Sequence, residues 1–374
     1  MRLYEYMSKK ILSDYGIPVP RGVLAADSSV SLDNLNFPVV IKAQILVGGR
    51  GKAGGIKIAN SSEEAKNIIK EMIRSKIKDI EVQKVLVEEK ADVLKELYMG
   101  IYLDRDHSTE LLMFSEYGGV DIEEVEHEKI FKVEVNPLIG IQSFMIRKLL
   151  EKTNLEKNLL NEIGQIVPKI YKIFNDYDAL LVEINPLGIT KQGQLIALDA
   201  KIIVDDNAIF RHKDLQNLER GMTEFEKKTS ELNVTGVEVT GDIAVITSGA
   251  GCLMGTIDTI KSYGGNIGPV IDLGGSVFQL DKINDTISGC ISAIKKLKPK
   301  VIIFNAYFQL ARCNFLAEAI RVGLKECNEI PVVVRLKGRA DDEAEKILKD
   351  IPNVYFTKSF EEACEKAVQL ARGA

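Results

Sequence analysis

The chain has 374 residues, 45% hydrophobic and 28% charged, which is enough core material for two or three soluble domains. Its net charge of −5 gives no electrostatic reason to expect nucleic acid or an anionic membrane as a partner. No apolar stretch reaches the roughly 18 residues a membrane span needs. The start, Met1-Arg-Leu-Tyr-Glu, lacks the basic-then-apolar pattern of a signal peptide, so a cytoplasmic protein is expected. Cys252, Cys290, Cys313, Cys327 and Cys364 form no C-x-x-C pair and read as buried thiols, not as a zinc site or a disulfide framework.

In chain order, Glu5 to Tyr15 carries apolar residues at helical spacing and stops at Gly16-Ile-Pro. Val39 to Leu46 reads as a buried strand with Ile56 to Ala59 as its return. Ser61 to Lys78 predicts an amphipathic helix entered through Asn60, Ser61 and Ser62, with Glu63 and Glu64 in its first turn. Val85 to Glu88 is a short strand. Leu97 to Leu103 and Glu110 to Ser115 flank a hairpin-like turn at residues 104–108. A long helical stretch follows over Ile141 to Phe174, then strands at Ala179 to Asn185 and Gln194 to Lys201. After the charged segment Arg211 to Glu231, the character changes near Val234. From there short apolar strands (Ile243 to Thr247, Pro269 to Leu273, Val301 to Phe304, Pro331 to Leu336, Val354 to Phe356) alternate with helices. That alternation predicts a doubly wound parallel sheet, whose ligands gather at the carboxyl ends of the strands. The expected division is a mixed α+β domain over residues 1–233, with 21–100 as its inner part, and an α/β domain over 234–374.

Two constellations carry chemistry. The run Gly48 to Gly55 contains G-x-G-x-x-G at Gly49, Gly51 and Gly54, but a strand follows it where a dinucleotide fingerprint requires a helix. A glycine hairpin between strands suits phosphate, because bare backbone N–H groups face the anion. Arg50 and Lys52 add positive charge, and Lys42 sits among apolar neighbours where an anionic partner is expected. The second constellation is a hairpin closed by Lys191-Gln-Gly193, which sets Thr190 against Gln194 and hence Asn185 against Asp199. Glu183 lies two residues before Asn185, on the same face. Such oxygen ligands suit Mg²⁺, which keeps waters and phosphates for its other positions. A flexible surface hairpin and a solvated edge hairpin are the plain structural alternatives.

Together these parts resemble the ATP-grasp β subunits of the succinyl-CoA synthetases. The resemblance rests on Leu3-Tyr-Glu-Tyr, Lys42-Ala-Gln through Gly55, Leu86-Val-Glu, Lys95-Glu-Leu-Tyr, Glu116-Tyr-Gly-Gly-Val-Asp and Glu183-Ile-Asn-Pro-Leu. Asp199, Gly249-Ala-Gly, Met254-Gly-Thr, Asp272-Leu-Gly-Gly and Arg312-Cys extend it along nearly the whole chain. It implies an ATP-grasp fold followed by a flavodoxin-like domain that contacts a partner. It also implies that Lys42, Gly49, Arg50, Gly51, Glu88, the Ala91 backbone and Glu96 contact ATP (or GTP), and that Asn185 and Asp199 bind Mg²⁺. Glu183 is the implied catalytic carboxylate, and Ser248, Gln309, Leu310 and Ala311 are implied to meet the acid. The implied activity is that of an acid–thiol ligase of the tricarboxylic acid cycle. Phosphoryl passes from the nucleotide to a histidine of an α subunit, which also holds CoA, and then to succinate.

None of His107, His127 and His212 matches such a phosphohistidine, and all three read as surface residues, so a partner chain is required. The chain departs from the family at Ser248, where asparagine is usual, at Ser276, and at Phe308-Gln309, which replace two glycines ahead of Arg312. These departures leave malate or citrate open as the acid. A regulatory nucleotide-binding subunit is a second reading. A free-standing carboxylate–amine ligase would leave the second domain unexplained.

Overall fold

The computed structural model describes the chain except for residues 48, 79, 217–221, 327, 328 and 374, and the side chain of residue 326. Gly48 of the glycine run, Cys327 and part of the charged segment therefore lie outside the described residues. The chain divides into two compact units, Met1–Arg220 and Gly221–Ala374.

The first unit opens with α1 (Glu5–Asp14), which ends as Gly16 takes a positive φ. Strands β1 (Gly22–Ala25), β2 (Val39–Ala43) and β3 (Ile56–Ala59) precede α2 (Ser62–Met72), whose N-cap Ser61 accepts the Glu64 N–H. This helix ends short of the expected Lys78. Ile73 is extended and Arg74 has φ 67°, and the chain turns into a hairpin of β4 (Lys76–Ile77) and β5 (Ile80–Glu81) that buries Ile77. With β6 (Val85–Glu89) the first sheet has the order β1-β6-β2-β3, antiparallel throughout, and α2 buries Ala65, Ile69 and Met72 against it.

The second sheet is built from β7 (Val93–Asp104), β8 (Thr109–Ser115) and β9 (Ile130–Val135), joined later by β10 (Ala179–Thr190), β11 (Leu195–Ala197) and β12 (Ala200–Val204). The single long helix expected over residues 141–174 is two, α3 (Ser143–Leu150) and α4 (Lys157–Asp176). Between them Thr153 Oγ1 bonds the Leu150 carbonyl at 2.8 Å, and the Asn154 N–H goes to Glu116 at 2.7 Å. Those side-chain bonds take over backbone partners a continuous helix would need. Helices α1, α3 and α4 cover the sheet over one apolar core that includes Leu12, Leu149, Ile170, Val182 and Ile202. A short helix, α5 (Lys213–Gln216), closes the described part of this unit.

The second unit starts with α6 (Glu224–Glu231), a helix held by a Thr223/Glu226 capping box, so the helix placed before residue 233 in the sequence groups with the second domain. Then come β13 (Thr235–Val237), β14 (Ile243–Thr247), α7 (Ala250–Ser262), β15 (Ile267–Asp272), α8 (Ile283–Lys296), β16 (Val301–Phe308) and α9 (Cys313–Gly323). The unit ends with β17 (Val332–Gly338), α10 (Asp341–Leu348), β18 (Val354–Thr357) and α11 (Phe360–Arg372). The parallel strands lie in the order β15-β14-β16-β17-β18, second-first-third-fourth-fifth, with β13 antiparallel at the edge. The strand–helix alternation anticipated the parallel doubly wound sheet, and its order is the flavodoxin-like one that the resemblance implies. Among the described residues, no helix is long and apolar enough to cross a membrane.

Candidate functional site

In the first unit the glycine run folds as a tight excursion between β2 and β3. Gly49 and Gly54 have φ of 68° and 77°, and the Gly55 N–H bonds the Arg50 carbonyl at 2.8 Å. The turn sends the Arg50 side chain inward, where it is only 9% exposed. Its guanidinium reaches the Ala43 carbonyl at 3.1 Å, Glu5 at 2.8 Å and Asp199 at 2.7 Å. Beside it the Lys42 ammonium meets Glu5 and Glu88, each at 3.0 Å, and the Leu198 carbonyl at 2.5 Å. Lys9, one turn along α1 from Glu5, pairs with Glu5 at 3.0 Å and Glu88 at 2.6 Å. Three cations and three carboxylates thus interlock in the interior, all but Asp199 essentially buried.

This arrangement sets the protonation of each group. Burial alone would push the Glu5 carboxyl up, but Lys9, Lys42 and Arg50 outweigh it and hold it well below the usual carboxylate range. Burial works to neutralise Lys42 and Arg50 too, yet the surrounding carboxylates raise both. Lys9 is the exception: burial and the Lys42 charge together lower it despite Glu5 and Glu88. Glu183 and Asp199 are both raised, chiefly by burial, so each favours a proton or a bound cation.

The register of the second hairpin is as the sequence sets it. Leu187 faces Ala197 and Ile184 faces Ala200, with the Asn185 N–H bonded to the Asp199 carbonyl at 3.3 Å. The Asn185 side chain accepts the Gly119 N–H at 2.8 Å and donates to the Val120 carbonyl at 2.9 Å. Glu183 stands near the Tyr98 hydroxyl, 3.4 Å away. Gly49, Arg50, Gly51, Glu183, Asn185 and Asp199 all line one cavity of about 310 Å³. Among the described residues, no three His, Cys, Asp or Glu side chains form a metal cage. A cation here would therefore take further ligands from phosphate and water. One carboxylate, Asp199 in the link between β11 and β12, and one amide oxygen, that of Asn185 on β10, fit Mg²⁺ used in that way.

The other sequence-predicted residues of this unit lie off the cavity wall. Glu88 is 2% exposed within the charge network. Ala91 sits in the connection between β6 and β7. Glu96, exposed on β7, leans against Gly119, where a Cβ would stand 2.0 Å from its carboxylate. Of the histidines, His107 is exposed and bonded to Asp104, and His127 is exposed. His212 is not the surface residue expected. It stacks on Tyr177 with ring centroids 5.7 Å apart and bonds Asp178 at 2.8 Å.

In the second unit Ser248 follows β14, and Gln309, Leu310 and Ala311 follow the neighbouring β16, so all four sit at the carboxyl edge of the sheet. There Asp272 accepts the N–H groups of Gly249 at 2.6 Å and Gly274 at 2.9 Å, tying two strand-end loops together. Strand β16 runs four residues beyond the expected Phe304. Phe308, anticipated as bulk in a loop, ends that strand 5% exposed, in the core with Leu316 and Leu336. Gln309 and Leu310 are exposed, and Arg312 is engaged with Glu343 at 3.1 Å and Asn314 at 3.3 Å.

The ATP-grasp domain profile matches residues 2–189. The β subunit of an ADP-forming succinate–CoA ligase from Ignicoccus hospitalis is 39% identical over 382 residues, covering all of both chains. Subunit β 2 of the corresponding Archaeoglobus fulgidus ligase is 40% identical over 384 residues and 99% of each chain, and a GDP-forming β subunit from Thermus thermophilus is 37% identical over 383 residues and 100% of each. The chain belongs to the succinate–CoA ligase β subunits. ATP citrate lyase from Methanothrix soehngenii, solved with citrate and coenzyme A, shares the fold at a TM-score of 0.74 and 19% identity, over 100% of this chain and 99% of the lyase chain.

In this succinate–CoA ligase β subunit, sequence reasoning passed over two residues of the charge network, Glu5 and Lys9. The signal was present: they form an i,i+4 pair on the face of α1 that also buries Ser8 and Leu12, where a charged pair is out of place unless it has partners.

Proposed function

We propose that this β subunit binds a magnesium nucleotide, ATP or GTP, in the cavity of its first unit and exchanges phosphoryl with a histidine of an α subunit that also carries the CoA site. Nucleotide turnover is thereby coupled to formation or cleavage of succinyl-CoA in the cytoplasm. The observation that carries this reading is that Gly49, Arg50, Gly51, Asn185 and Asp199 line one cavity, with Lys42 buried behind it against Glu5, itself a lining residue. The glycine backbone and the two buried cations supply positive charge to polyphosphate. Asn185 and Asp199 would hold Mg²⁺, which when bound neutralises phosphate oxygens and orients them. Glu88, Ala91 and Glu96 extend the nucleotide contacts beyond the cavity wall. Glu183, whose burial favours a proton or a cation partner, is the candidate catalytic carboxylate.

For the acid, the placement of Phe308 weakens one of the departures that left malate or citrate open. Its bulk lies in the core, and of the two replaced positions only Gln309 presents an exposed side chain at the strand end. This supports succinate as the proposed substrate, with Ser248, Gln309, Leu310 and Ala311 as its proposed contacts. The test uses the purified chain with and without its α partner. Alone it should bind Mg-ATP but form no succinyl-CoA. With the partner it should label a partner histidine from γ-labelled ATP and make succinyl-CoA. Thioester synthesis by this chain alone would contradict the two-subunit scheme.

A further inference from the structure

Resting on that nucleotide-site reading, we propose that Lys9 is a positioning residue, a buried counter-charge that keeps Glu5 and Glu88 paired while Lys42 is handed over to phosphate. An ammonium has three N–H donors. In this structure three acceptors surround that of Lys42: Glu5 at 3.0 Å, Glu88 at 3.0 Å and the Leu198 carbonyl at 2.5 Å. A phosphate that gains Lys42 must displace one of them. Glu5 and Glu88 are 4% and 2% exposed, and a carboxylate left alone at that depth is costly.

Lys9 resolves the conflict because it is bonded to the same two carboxylates, Glu88 at 2.6 and 2.7 Å and Glu5 at 3.0 Å. Either one, released by Lys42, keeps a cation. Lys9 itself is 3% exposed, and neither it nor Lys42 lines the cavity, whereas Glu5 does; bonded to Glu5 and Glu88, Lys9 acts through these carboxylates and not on the ligand. Packing does not account for it. A buried ion pair is often replaceable by apolar side chains with no loss of stability, and the neighbours Ile11 and Leu12 would suit such a replacement.

The test measures the Kd of Mg-ATP, Mg-ADP and AMP by calorimetry on the full chain, with thermal unfolding in parallel. In Lys9→Met the two carboxylates have only Lys42 and Arg50 left, so phosphate must compete for them. ATP binding should weaken about tenfold or more, ADP less, and AMP little. Removing one of the competing charges in Lys9→Met/Glu5→Gln should recover most of the ATP affinity, and Lys9→Arg, which keeps the charge, should stay within about threefold of wild type. An equal loss for all three nucleotides, no loss, or a double variant weaker than the single one overturns the inference. Should Lys9→Met not fold, the charge-balanced double variant decides: a wild-type ratio of ATP to AMP affinity supports the role of Lys9, and a collapsed ratio overturns it. Wild-type chain that binds ATP no better than AMP overturns the nucleotide-site reading itself, which separates the two failures.

Discussion

Replacing Phe308 by glycine would restore at this position the residue type that the resemblance leads one to expect ahead of Arg312, and the structure says what that costs. Along β16 the residues Ile302, Phe304, Ala306 and Phe308 point to one face of the sheet and join the core beneath α8, α9 and α10. Phe308 is the last of that row and pairs with Gly338 of β17, so it seals the carboxyl end of the core. Truncating a buried phenylalanine to alanine removes about 3–5 kcal/mol. Glycine in a strand adds about 0.5–1 kcal/mol more through backbone freedom in the unfolded chain. A loss of about 3.5–6 kcal/mol is therefore expected, read as a lower urea midpoint at unchanged m value. Gln309→Gly, on an exposed side chain, should stay within about 0.5 kcal/mol. In the assembled enzyme, assayed well below the unfolding temperature, the relative kcat/KM for succinate, malate and citrate should not change order in Phe308→Gly. A variant of undiminished stability with a changed acid preference would refute the placement of Phe308 in the core as the explanation of this departure.

Asp199→Asn keeps the shape of the side chain but removes the charge that faces Arg50 across the cavity. Phosphoryl transfer to the partner histidine should fall at least about a hundredfold, measured as labelled phosphohistidine with circular dichroism confirming the fold, and unchanged transfer would remove Asp199 from the site. Glu110, on β8, is 7% exposed, its Oε2 has no hydrogen-bond partner among the described residues, and burial raises its pKa. A carboxyl whose folded pKa is raised contributes stability below its ordinary value of about 4.3, and that contribution is lost as pH rises through the folded value. Glu110→Gln should therefore raise the unfolding temperature at pH 7–8 with the gain shrinking below about pH 4.3, and a gain independent of pH would contradict the burial argument.

What could be read along the chain was whatever a single element or a single turn decides. The hairpin closed by Lys191-Gln-Gly193 is such a case: a loop of fixed length sets the register, and Asn185 meets Asp199 as a consequence. The alternation of apolar strands with helices after Ile243 likewise leads to the parallel order found. Misreadings came where side chains from elsewhere intervene in local preference. The helix expected to reach Lys78 stops at Met72 because Arg74 turns left-handed and its N–H is taken by Val82. The helix expected to run unbroken past Leu150 is interrupted where Glu116 takes the Asn154 N–H. Strand β9 was legible and overlooked, since Val133 and Val135 alternate with exposed Lys132 and Glu134.

The charge network shows why a site can be half visible. Lys42 and Arg50 stand near a glycine run that announces phosphate, but their carboxylate partners come from α1, β6 and the end of the hairpin, separated from Lys42 by 37 to 157 residues in sequence and joined only by the fold. No periodicity links Glu5 to Lys42. A local rule is nevertheless broken at Glu5 and Lys9, because the buried face of an amphipathic helix carries two charges where apolar residues would pack without desolvation cost. Sequences that specify a fold keep such conflicts few, and the ones that persist concentrate where function requires them. On the proposed reading the charged pair on α1 belongs to the same device as the glycine run: the run would bring its backbone to phosphate, and the pair would keep the buried cations balanced until phosphate arrives.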